Sequence, residues 1–505
     1  MSVWLRKRVQ LRTLLFLPAA AILAAAGFDE SLIAGLEAAR ALYDRQQAEL
    51  IGDAFDPGEI NDALRMPREL FDDPATPQDV IFRFADEAFE LERRPGFGFG
   101  NALNVAPGGN RPRPNLRRVH FGAFGGPDAI ACSGCHSAGG LNGAGTRTQN
   151  ILIDGNGDTL SSALERNAPH VLGLGPIQAL ARQMTTQLRA RLASARSQAM
   201  SSGMPVLAAL SSTGVSFGSV VANADGSADF SGLAGIDEDL VVKPFGWKGN
   251  FRDLRSISDD SLNIHLGLQS QELIDRALAD SDPARIGPVD AGRFDPDGDG
   301  IETEALSTEL DSFEFYFSML EIPIVAPPED TVLLDYWSRG VTHFRAVGCM
   351  DCHAVLSLQS PRICVGENAD GGSRCVDFLT DPDEPRLGHR INALGEIFSL
   401  NPGEGFLVPL FSDLKRHDMG TELAEPRAHR GVPGNTWLTR PLWGLADSAP
   451  YLHDGRASTV EEAVLAHGGE GEASRVAYGA LSDSDRAALR LFLMSLTRAN
   501  KLVVQ

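Results

Sequence analysis

Two short stretches, ACSGCHSAG (131–139) and GCMDCHAV (348–355), decide how the rest of the sequence is interpreted. Each contains the pattern C-x-x-C-H, which is the attachment signature of c-type haem. Two thiols three residues apart can add to the two vinyl groups of one porphyrin, and the adjacent histidine then lies under the ring and ligates iron. The sequence therefore predicts two covalently bound haem c groups. Their predicted residues are Cys132, Cys135 and His136 for the first, and Cys349, Cys352 and His353 for the second.

Chance does not account for the two motifs. With 6 Cys and 11 His in 505 residues, one random C-x-x-C-H is expected roughly 0.002 times. A four-cysteine zinc site built from the two C-x-x-C pairs would explain neither histidine. A thioredoxin-like redox motif needs one pair rather than two. Haem attachment is the strongest of the three interpretations.

The two remaining cysteines, Cys364 and Cys375, flank the loop VGENADGGSR. In an oxidising compartment, such a pair forms a local disulfide. We expect this disulfide to close the ten-residue loop between them and to have a structural role.

The N-terminus has the features of a cleaved signal peptide. WLRKRVQLR is basic, TLLFLPAAAILAAA is a short apolar core, and Ala24-Ala25-Ala26 fits the small-residue rule for cleavage. The 14 apolar-core residues are too few for a comfortable membrane span, although an uncleaved anchor is the alternative. We therefore predict that residues 1–26 are removed and that the protein is exported to the periplasm.

The chain is strongly acidic. Its formal net charge is −22, and loss of the 4 basic residues within 1–26 brings the charge to −26. Such a charge argues against nucleic acid as a partner. We found no second apolar stretch long enough to span a bilayer, and we therefore expect no integral membrane segment.

A length of 505 residues predicts two or three domains. The predicted fold class is mainly α, with two cytochrome c-like haem domains, long loops and a small β-containing insertion. Apolar residues recur at helical spacing in 177–195, whereas 205–242 predicts short strands and turns. A proline-rich break at 321–332 marks the domain boundary. The predicted organisation is a signal peptide (1–26), an N-terminal helical extension and loop (27–118), a first haem domain (119–325) with an insertion at about 181–242, and a second haem domain (326–505).

An acidic stretch, DPDGDGIETEAL (295–306), resembles a calcium-binding loop. Asp295, Asp297 and Asp299 occupy alternate positions and Gly300 follows them. An EF-hand has Glu at its twelfth position, where this sequence has Leu306. The stretch is therefore either a non-standard calcium loop or an acidic surface turn without metal.

Four further stretches carry a family resemblance: RNAPHVLGLG (166–175), FGWKGNFRDL (245–254), KRHDMG (415–420) and TRPLWGLADSAPYLHDGRASTVEEAVLAHGGEGEASR (439–475). With the two haem motifs, they resemble the bacterial di-haem oxidoreductase family of peroxidases, which is similar to bacterial di-haem cytochrome c peroxidases and to MauG. The resemblance covers roughly 119–180, 243–270 and 335–498, and leaves 27–118 and 181–242 unaccounted for. It implies a peroxidase-type enzyme in which electrons pass between two haems.

The resemblance implies a distal iron ligand for the second haem. In this family, that ligand lies fourteen residues after the histidine of the HDG turn, and His467 has this spacing from His453. Peroxidases have Met there and MauG has Tyr; an imidazole lowers the potential relative to Met. Met419 and His417 are alternative ligands, and His467 could instead simply end a helix. His453 is expected to lie near the haem edge or the inter-haem face and to make hydrogen bonds rather than to ligate iron.

The resemblance also implies a calcium ion between the haems, held by an Asn side chain and two backbone carbonyls. Asn167 lies thirty-one residues after His136, which is the spacing of the family. Ser448 and Pro450, just before YLHDG, match the residues that supply the carbonyls. Oxygen ligands suit calcium.

Two residues are predicted to be catalytic from the resemblance. Trp247 in FGWKG matches the tryptophan that relays electrons between the haems, with an ordinary core aromatic as the alternative. His265 lies eighteen residues further on, in the region where peroxidases carry a distal acid–base Glu. This departure leaves two interpretations of His265: an acid–base group over an open first haem, or a sixth ligand that closes it.

The sequence thus predicts a periplasmic di-haem c-type oxidoreductase of peroxidase type, with two haem c groups and calcium as cofactors. Its expected partners are peroxide and either a small redox carrier (a cytochrome c or a cupredoxin) or an oxidisable substrate. The alternative function is a di-haem electron-transfer cytochrome without catalytic activity.

Overall fold

The computed structural model describes residues 66–92, 119–121, 128–155, 159–268, 270–279, 303–366, 374–378 and 405–498. The predicted signal peptide (1–26), the predicted calcium loop at Asp295, Asp297 and Asp299, and most of the predicted extension at 27–118 lie outside the described residues. Within these ranges, no helix is both long and apolar enough to cross a membrane.

The described part of the chain is mainly helical. Its α-helices are α1 (Arg68–Asp72), α2 (Gln78–Glu90), α3 (Leu174–Ser202), α4 (Leu254–Ser261), α5 (Gln271–Ala279), α6 (Ser307–Met319), α7 (Thr331–Ala346), α8 (Val460–Leu465), α9 (Glu472–Gly479) and α10 (Asp483–Leu493). The prediction of a mainly α fold is confirmed at this level. The division into two cytochrome c-like domains stays a prediction.

The strands are short and form small separate sheets. They are β1 (Val119–Phe121), β2 (Ile151–Gly155), β3 (Leu164–Arg166), β4 (Val206–Ser212), β5 (Val215–Ala222), β6 (Ala228–Asp229), β7 (Ile324–Val325), β8 (Leu356–Leu358), β9 (Arg362–Val365), β10 (Arg374–Asp377), β11 (Phe406–Val408), β12 (Arg416–Asp418), β13 (Thr436–Leu438) and β14 (Leu496–Thr497). The sheets of the described chain are β1-β2-β3, β4-β5-β6 and the pairs β7/β14, β8/β11, β9/β10 and β12/β13.

Helix α3 confirms the helix predicted at 177–195 and extends beyond it at both ends. It lies between Gly173 and Gly203, which both have φ of +68°, a left-handed conformation that glycine adopts at little cost. Its last turns pack Ala195 and Ala199 against Ala222 of β5. The helix continues past the predicted end because the adjacent sheet buries these small side chains. The strands predicted within 205–242 are confirmed as β4, β5 and β6.

The larger hydrophobic core surrounds α6, which is buried along nearly its whole length. Phe315 and Tyr316 are fully buried, and the Tyr316 hydroxyl lies 2.8 Å from Oδ1 of Asp86 on α2. The ring of Phe89, also on α2, lies 5.9 Å from the ring of His136. This core therefore supports the first haem motif.

A second core lies between α7 and α10 and supports the second haem motif. Trp337, Phe344 and Phe492 are buried there. The helices approach so closely at Gly340 that a Cβ atom would lie 2.1 Å from the carbonyl oxygen of Ala488. Because α7 ends three residues before Cys349, this packing fixes the position of the motif.

The predicted disulfide is confirmed. Cys364 on β9 and Cys375 on β10 are directly opposite each other in the antiparallel pair and are bonded. The cross-link ties together two strands that pack against α6.

Candidate di-haem site

Both C-x-x-C-H motifs have the same local structure. Cys132–Gly134 and Cys349–Asp351 are single 3₁₀ turns. The backbone N–H of His136 donates to the carbonyl of Cys132 at 3.1 Å, and that of His353 donates to the carbonyl of Cys349 at 2.9 Å. None of the four motif cysteines is disulfide-bonded. Each turn thus presents two thiols and an imidazole within five residues, as covalent haem attachment requires.

The imidazole rings of His353 and His467 lie close together, with their planes inclined by 59°. Their ring centres are 6.4 Å apart. A metal–imidazole bond of about 2 Å and roughly 1.2 Å from Nε2 to the ring centre, taken on both sides of an iron, give about the same separation. Nδ1 of His353 lies 3.0 Å from the carbonyl of Phe411, and Nδ1 of His467 lies 2.8 Å from the carbonyl of Ala463.

These hydrogen bonds fix the tautomer of both histidines. A carbonyl oxygen only accepts, so Nδ1 carries the proton and Nε2 keeps the lone pair that binds metal. Burial lowers the pKa of His353 to about 4 and also lowers the pKa of His467. Both rings are therefore neutral at pH 7, and the pair fits a haem iron.

His417 and Met419, the two alternatives to His467 as iron ligand, differ in whether a metal-binding atom is free of hydrogen bonds to carboxylates. Both ring nitrogens of His417 are used: Nε2 lies 2.8 Å from Asp413 and Nδ1 lies 2.7 Å from Glu470. Although burial opposes it, hydrogen bonding to these carboxylates raises the pKa of His417 to about 11, so the ring is a cation. Met419 lies beside His467, since a Cβ on Gly471 would contact both side chains at 3.2–3.3 Å.

His417 belongs to the one cluster of potential metal-binding side chains found among the described residues, Cys352, Asp413 and His417. Cys352 is a predicted haem attachment residue. An imidazolium whose two ring nitrogens both carry protons and donate hydrogen bonds has no lone pair for a metal. We therefore assign this cluster to the support of the second motif rather than to a separate metal site.

His136 of the first motif is also neutral. It is partly accessible, yet burial lowers its pKa to about 4. The backbone carbonyls of Gly143 and Pro169 face the ring and favour its charged form. Nδ1 makes no hydrogen bond of normal geometry to any residue within the described ranges. The ring therefore offers a neutral imidazole to the first haem.

His265 lies close to the first motif. It is on a π-helical turn, Leu262–Leu266, a geometry frequent at functional sites. Nδ1 of His265 lies 3.0 Å from Oδ2 of Asp128, whose side chain is only 2% exposed. The backbone N–H of Asp128 also donates to the backbone carbonyl of His265 at 2.9 Å. His265 is near enough to His136 to lower the pKa of that ring slightly. Asp128 orients this imidazole, and both interpretations of His265 stay open.

Asn167 connects two other predicted site residues. It is buried, and its backbone oxygen accepts a hydrogen bond from Nε1 of Trp247 at 2.8 Å. Its backbone N–H donates to the carbonyl of His453 at 2.7 Å. Because Asn167 is two residues before Pro169, whose carbonyl faces His136, Trp247 is linked to the first motif.

Trp247 also contacts the segment that supports the second motif. The guanidinium carbon of Arg440 lies 5.2 Å from the centre of the Trp247 ring. The neighbouring Thr439 accepts a hydrogen bond at 2.7 Å from Oγ of Ser412, whose N–H donates to Ala354 at 2.8 Å. Ala354 directly follows the second haem histidine. A chain of direct contacts thus connects both motifs through Trp247.

The predicted calcium ligands are partly brought together. A Cβ on Gly455 would lie 3.0 Å from Pro450 and 3.3 Å from the side chain of Asn167, so both residues are close to the same glycine. Ser448 is two residues before Pro450, and its Oγ donates to the carbonyl of Gly444 at 2.6 Å. The Asn167 amide donates through Nδ2 to Asn150 at 2.7 Å. An amide oxygen and backbone carbonyls are a donor set that suits calcium.

One segment of the chain is similar to a known protein family. Residues 399–496 match the family described as "Di-haem oxidoreductase, putative peroxidase". The resemblance inferred from the sequence is confirmed over this segment, which contains His417, Met419, His453 and His467. The match supports a redox function with haem cofactors.

Similarity to solved structures is low. A MauG-like protein associated with microbial copper homeostasis is 16% identical, with 65% of this chain and 89% of that chain covered and a TM-score of 0.27. Hydrazine synthase from Kuenenia stuttgartiensis is 17% identical, with 37% of this chain and 55% of that chain covered and a TM-score of 0.22. The chain thus spans about half of the hydrazine synthase chain. None of the curated proteins matches it.

The sequence did not point to a buried cationic cluster beside His453. The His453 ring stacks on Trp437, with centres 4.0 Å apart and planes inclined by 19°. Nζ of Lys248, a side chain only 1% exposed, lies 3.3 Å from the centre of the same Trp437 ring. Glu425 compensates this charge at 3.3 Å and also pairs with Arg166. His453 therefore packs in a cluster of charges, and its backbone, rather than its ring, makes the hydrogen bond to Asn167.

We expect the free energy of unfolding to fall in acid, because the buried imidazole of His453 resists protonation in the folded protein. Burial, assisted by nearby positive charges, lowers the pKa of His453 to about 3. Between pH 6.5 and that value, the unfolded chain binds a proton that the folded chain excludes, so stability falls as pH falls. One such proton corresponds to about 1.4 kcal/mol per pH unit, or about 2 kcal/mol between pH 6.5 and pH 5.

Urea denaturation of the holoprotein at pH 7, 6 and 5 measures this loss. The variant His453→Gln removes the titrating group, and its stability should depend less on pH over the same interval. An equal pH dependence in wild type and variant would show that His453 is not responsible.

Proposed function

We propose that this chain is a periplasmic di-haem c-type oxidoreductase of peroxidase type. The observation that carries the proposal is the close pair of His353 and His467, whose ring separation and tautomers would allow both to bind one haem iron beside the second C-x-x-C-H turn. The first C-x-x-C-H motif, Cys132–His136, begins with an equivalent turn and supplies the other attachment site. Export and the division into haem domains at 119–325 and 326–505 are part of the proposal.

Each haem has a defined set of protein residues. Cys132 and Cys135 would attach the first haem, and Cys349 and Cys352 the second. His136 would bind the iron of the first haem, and His353 and His467 that of the second. When bound, the haems supply electron storage and peroxide activation. The protein sets their properties through the axial imidazoles and the polarity of their surroundings.

The two sites have different proposed roles. His353 and His467 would both bind the iron of the second haem, which suits electron transfer. At the first site, His265 is held by buried Asp128 and would act as the acid–base group that moves protons to and from peroxide. Reduction of one hydrogen peroxide to two waters consumes two protons and two electrons. The electrons come from a small redox carrier or an oxidisable substrate.

Trp247 is the proposed relay between the sites. Its indole donates to Asn167 on the side of the first motif, and its ring contacts Arg440 on the side of the second. Trp437 is the competing aromatic residue. The ammonium of Lys248 at 3.3 Å from its ring centre makes removal of an electron from Trp437 costly. Asn167, Ser448 and Pro450 would hold calcium next to Trp247.

Stopped-flow mixing of hydrogen peroxide with half-reduced holoprotein tests the proposal. We expect peroxide consumption to be coupled to oxidation of the second haem. The absorption band of that haem monitors its oxidation. Trp247→Phe should slow this oxidation on the order of tenfold or more, while Trp437→Phe should leave it nearly unchanged.

The alternative is a di-haem electron-transfer cytochrome, favoured by the closeness of His265 to His136. It predicts that both irons are low spin in the oxidised and the half-reduced protein and that peroxide is not consumed. That result would overturn the peroxidase proposal while leaving haem attachment intact. Equal slowing by both tryptophan variants would overturn the relay role of Trp247.

A further inference from the structure

Strand β4 forms an edge of the β4-β5-β6 sheet, in the segment that the family resemblance does not cover. It pairs with β5 on one side, and α3 packs on it. Within the described ranges, no strand pairs with its other side. The outer edge of β4 therefore presents backbone N–H and C=O groups in a row, which is a template for pairing with another strand.

Strand β4 itself contains none of the features that keep natural edge strands apart, although Pro205 directly precedes it. Such strands carry charges, prolines or bulges. No charged residue occurs between Arg196 and Asp225, although 22% of the chain is charged. The irregularity in the pairing places the extra residue in β5, at Gly218 with φ of +81°, and leaves β4 regular. The outer strand is thus the uninterrupted one.

Apolar side chains surround the same edge. Met200 at the end of α3, Met204 in the connection and Leu207 on β4 are 62%, 67% and 70% exposed. Ala209, two residues after Leu207 and therefore on the same face of the strand, is also exposed. Single exposed apolar residues are ordinary, whereas several around one open strand edge indicate an interaction surface.

We propose that β4 pairs antiparallel with β4 of a second copy of this chain, across a twofold axis. The distribution of charge favours a second copy of the chain as the partner of this edge. Two copies that each carry a formal net charge of −22 repel each other over most of their surfaces. The stretch 197–224 carries no charge, so two copies can approach there without like-charge contacts. A twofold axis pairs both open edges in one event, because the same surface contributes from each side.

The dimer is independent of the redox proposal, since it uses no residue of either haem motif. It joins the two sheets into one continuous six-stranded sheet with two β4 strands at its centre. A lysine introduced on β4 enters the interface twice, once from each copy, so one substitution has a doubled effect.

Sedimentation velocity of the full-length holoprotein tests this proposal over a range of protein concentrations. We expect a dimer for wild type, and added salt should strengthen it by screening the net charge. Ala209→Lys should weaken association on the order of a hundredfold or more. Ser231→Lys is the matched control because it adds the same charge at an exposed position beyond β6, and it should leave the dimer unchanged. Haem content and circular dichroism confirm that both variants fold.

Hydrogen exchange supplies the second measurement. Amides of β4 should be protected in concentrated wild type and exchange faster in Ala209→Lys, whereas β5 amides should be protected in both. A wild type that is monomeric at every concentration overturns the proposal, and so does a dimer that survives Ala209→Lys. Protection of β4 in a monomer would show that another part of the same chain covers the edge.

Discussion

Replacing His467 by alanine is expected to convert the second haem of the holoprotein from low spin to high spin. The ring centres of His467 and His353 are separated by a distance that one iron would span, and Nδ1 of His467 donates to the carbonyl of Ala463. The substitution removes a strong-field ligand and puts only a methyl group in its place. Ferric electron paramagnetic resonance should show one of the two haems losing its low-spin signal completely.

Met419 provides the matched control. It lies beside His467 and is the alternative ligand, so Met419→Ala should retain the low-spin signal. His467→Met should also remain six-coordinate, with a raised reduction potential because a thioether replaces an imidazole. If His467→Ala keeps its spectrum and Met419→Ala changes, Met419 is the ligand and the axial pair inferred here is wrong.

Replacing Glu425 by alanine is expected to cause the largest loss of stability among single substitutions in the charged cluster. Glu425 pairs with Arg166 and Lys248, and all three side chains are at most 6% exposed. Without it, two cations remain buried with no carboxylate between them. Breaking a buried ion pair from one side costs about 3–5 kcal/mol. Urea denaturation followed by far-ultraviolet circular dichroism measures the change.

A double variant separates charge from packing. Glu425→Ala combined with Lys248→Met removes one of the stranded cations and should be more stable than Glu425→Ala alone, because the two sites interact directly. Glu461→Ala, which removes a partly exposed carboxylate 3.9 Å from Arg486, should change stability only slightly. Equal losses for Glu425→Ala and the double variant would mean that packing, rather than uncompensated charge, determines the effect.

Sequence predicted the parts of the fold that depend on local pattern. The helix at 177–195, the strands within 205–242 and the disulfide all follow from neighbouring residues. It did not predict that α6 is a buried core helix, because STELDSFEFYFSM contains three carboxylates. The structure compensates two of them with distant cations: Arg255 pairs with Asp311, and Arg182 pairs with Glu314 at 3.0 Å. Partners so far away in sequence leave no local signal.

In the candidate site, too, sequence predicted the features that depend on neighbouring residues and not those that join remote segments. C-x-x-C-H is a local motif, and the fourteen-residue spacing between His453 and His467 falls within one turn and helix. Lys248 and Trp437 were missed because their contact joins segments remote in sequence. FGWKG was noticed for its tryptophan, while the lysine next to it makes three hydrogen bonds to the carbonyls of Pro433, Gly434 and Thr436. A buried lysine is visible only once its acceptors are in place.

The close approach of α7 and α10 sets an order of events during biosynthesis. The second motif, Cys349–His353, lies just beyond the end of α7, which lacks its packing partner until α10, Asp483–Leu493, docks against it. Once the helices pack, burial raises the pKa of the Cys349 thiol to about 12, which makes it a poor nucleophile. We therefore expect the Cys349 thiol to be most reactive before α7 and α10 pack, so that haem attachment precedes the completion of folding.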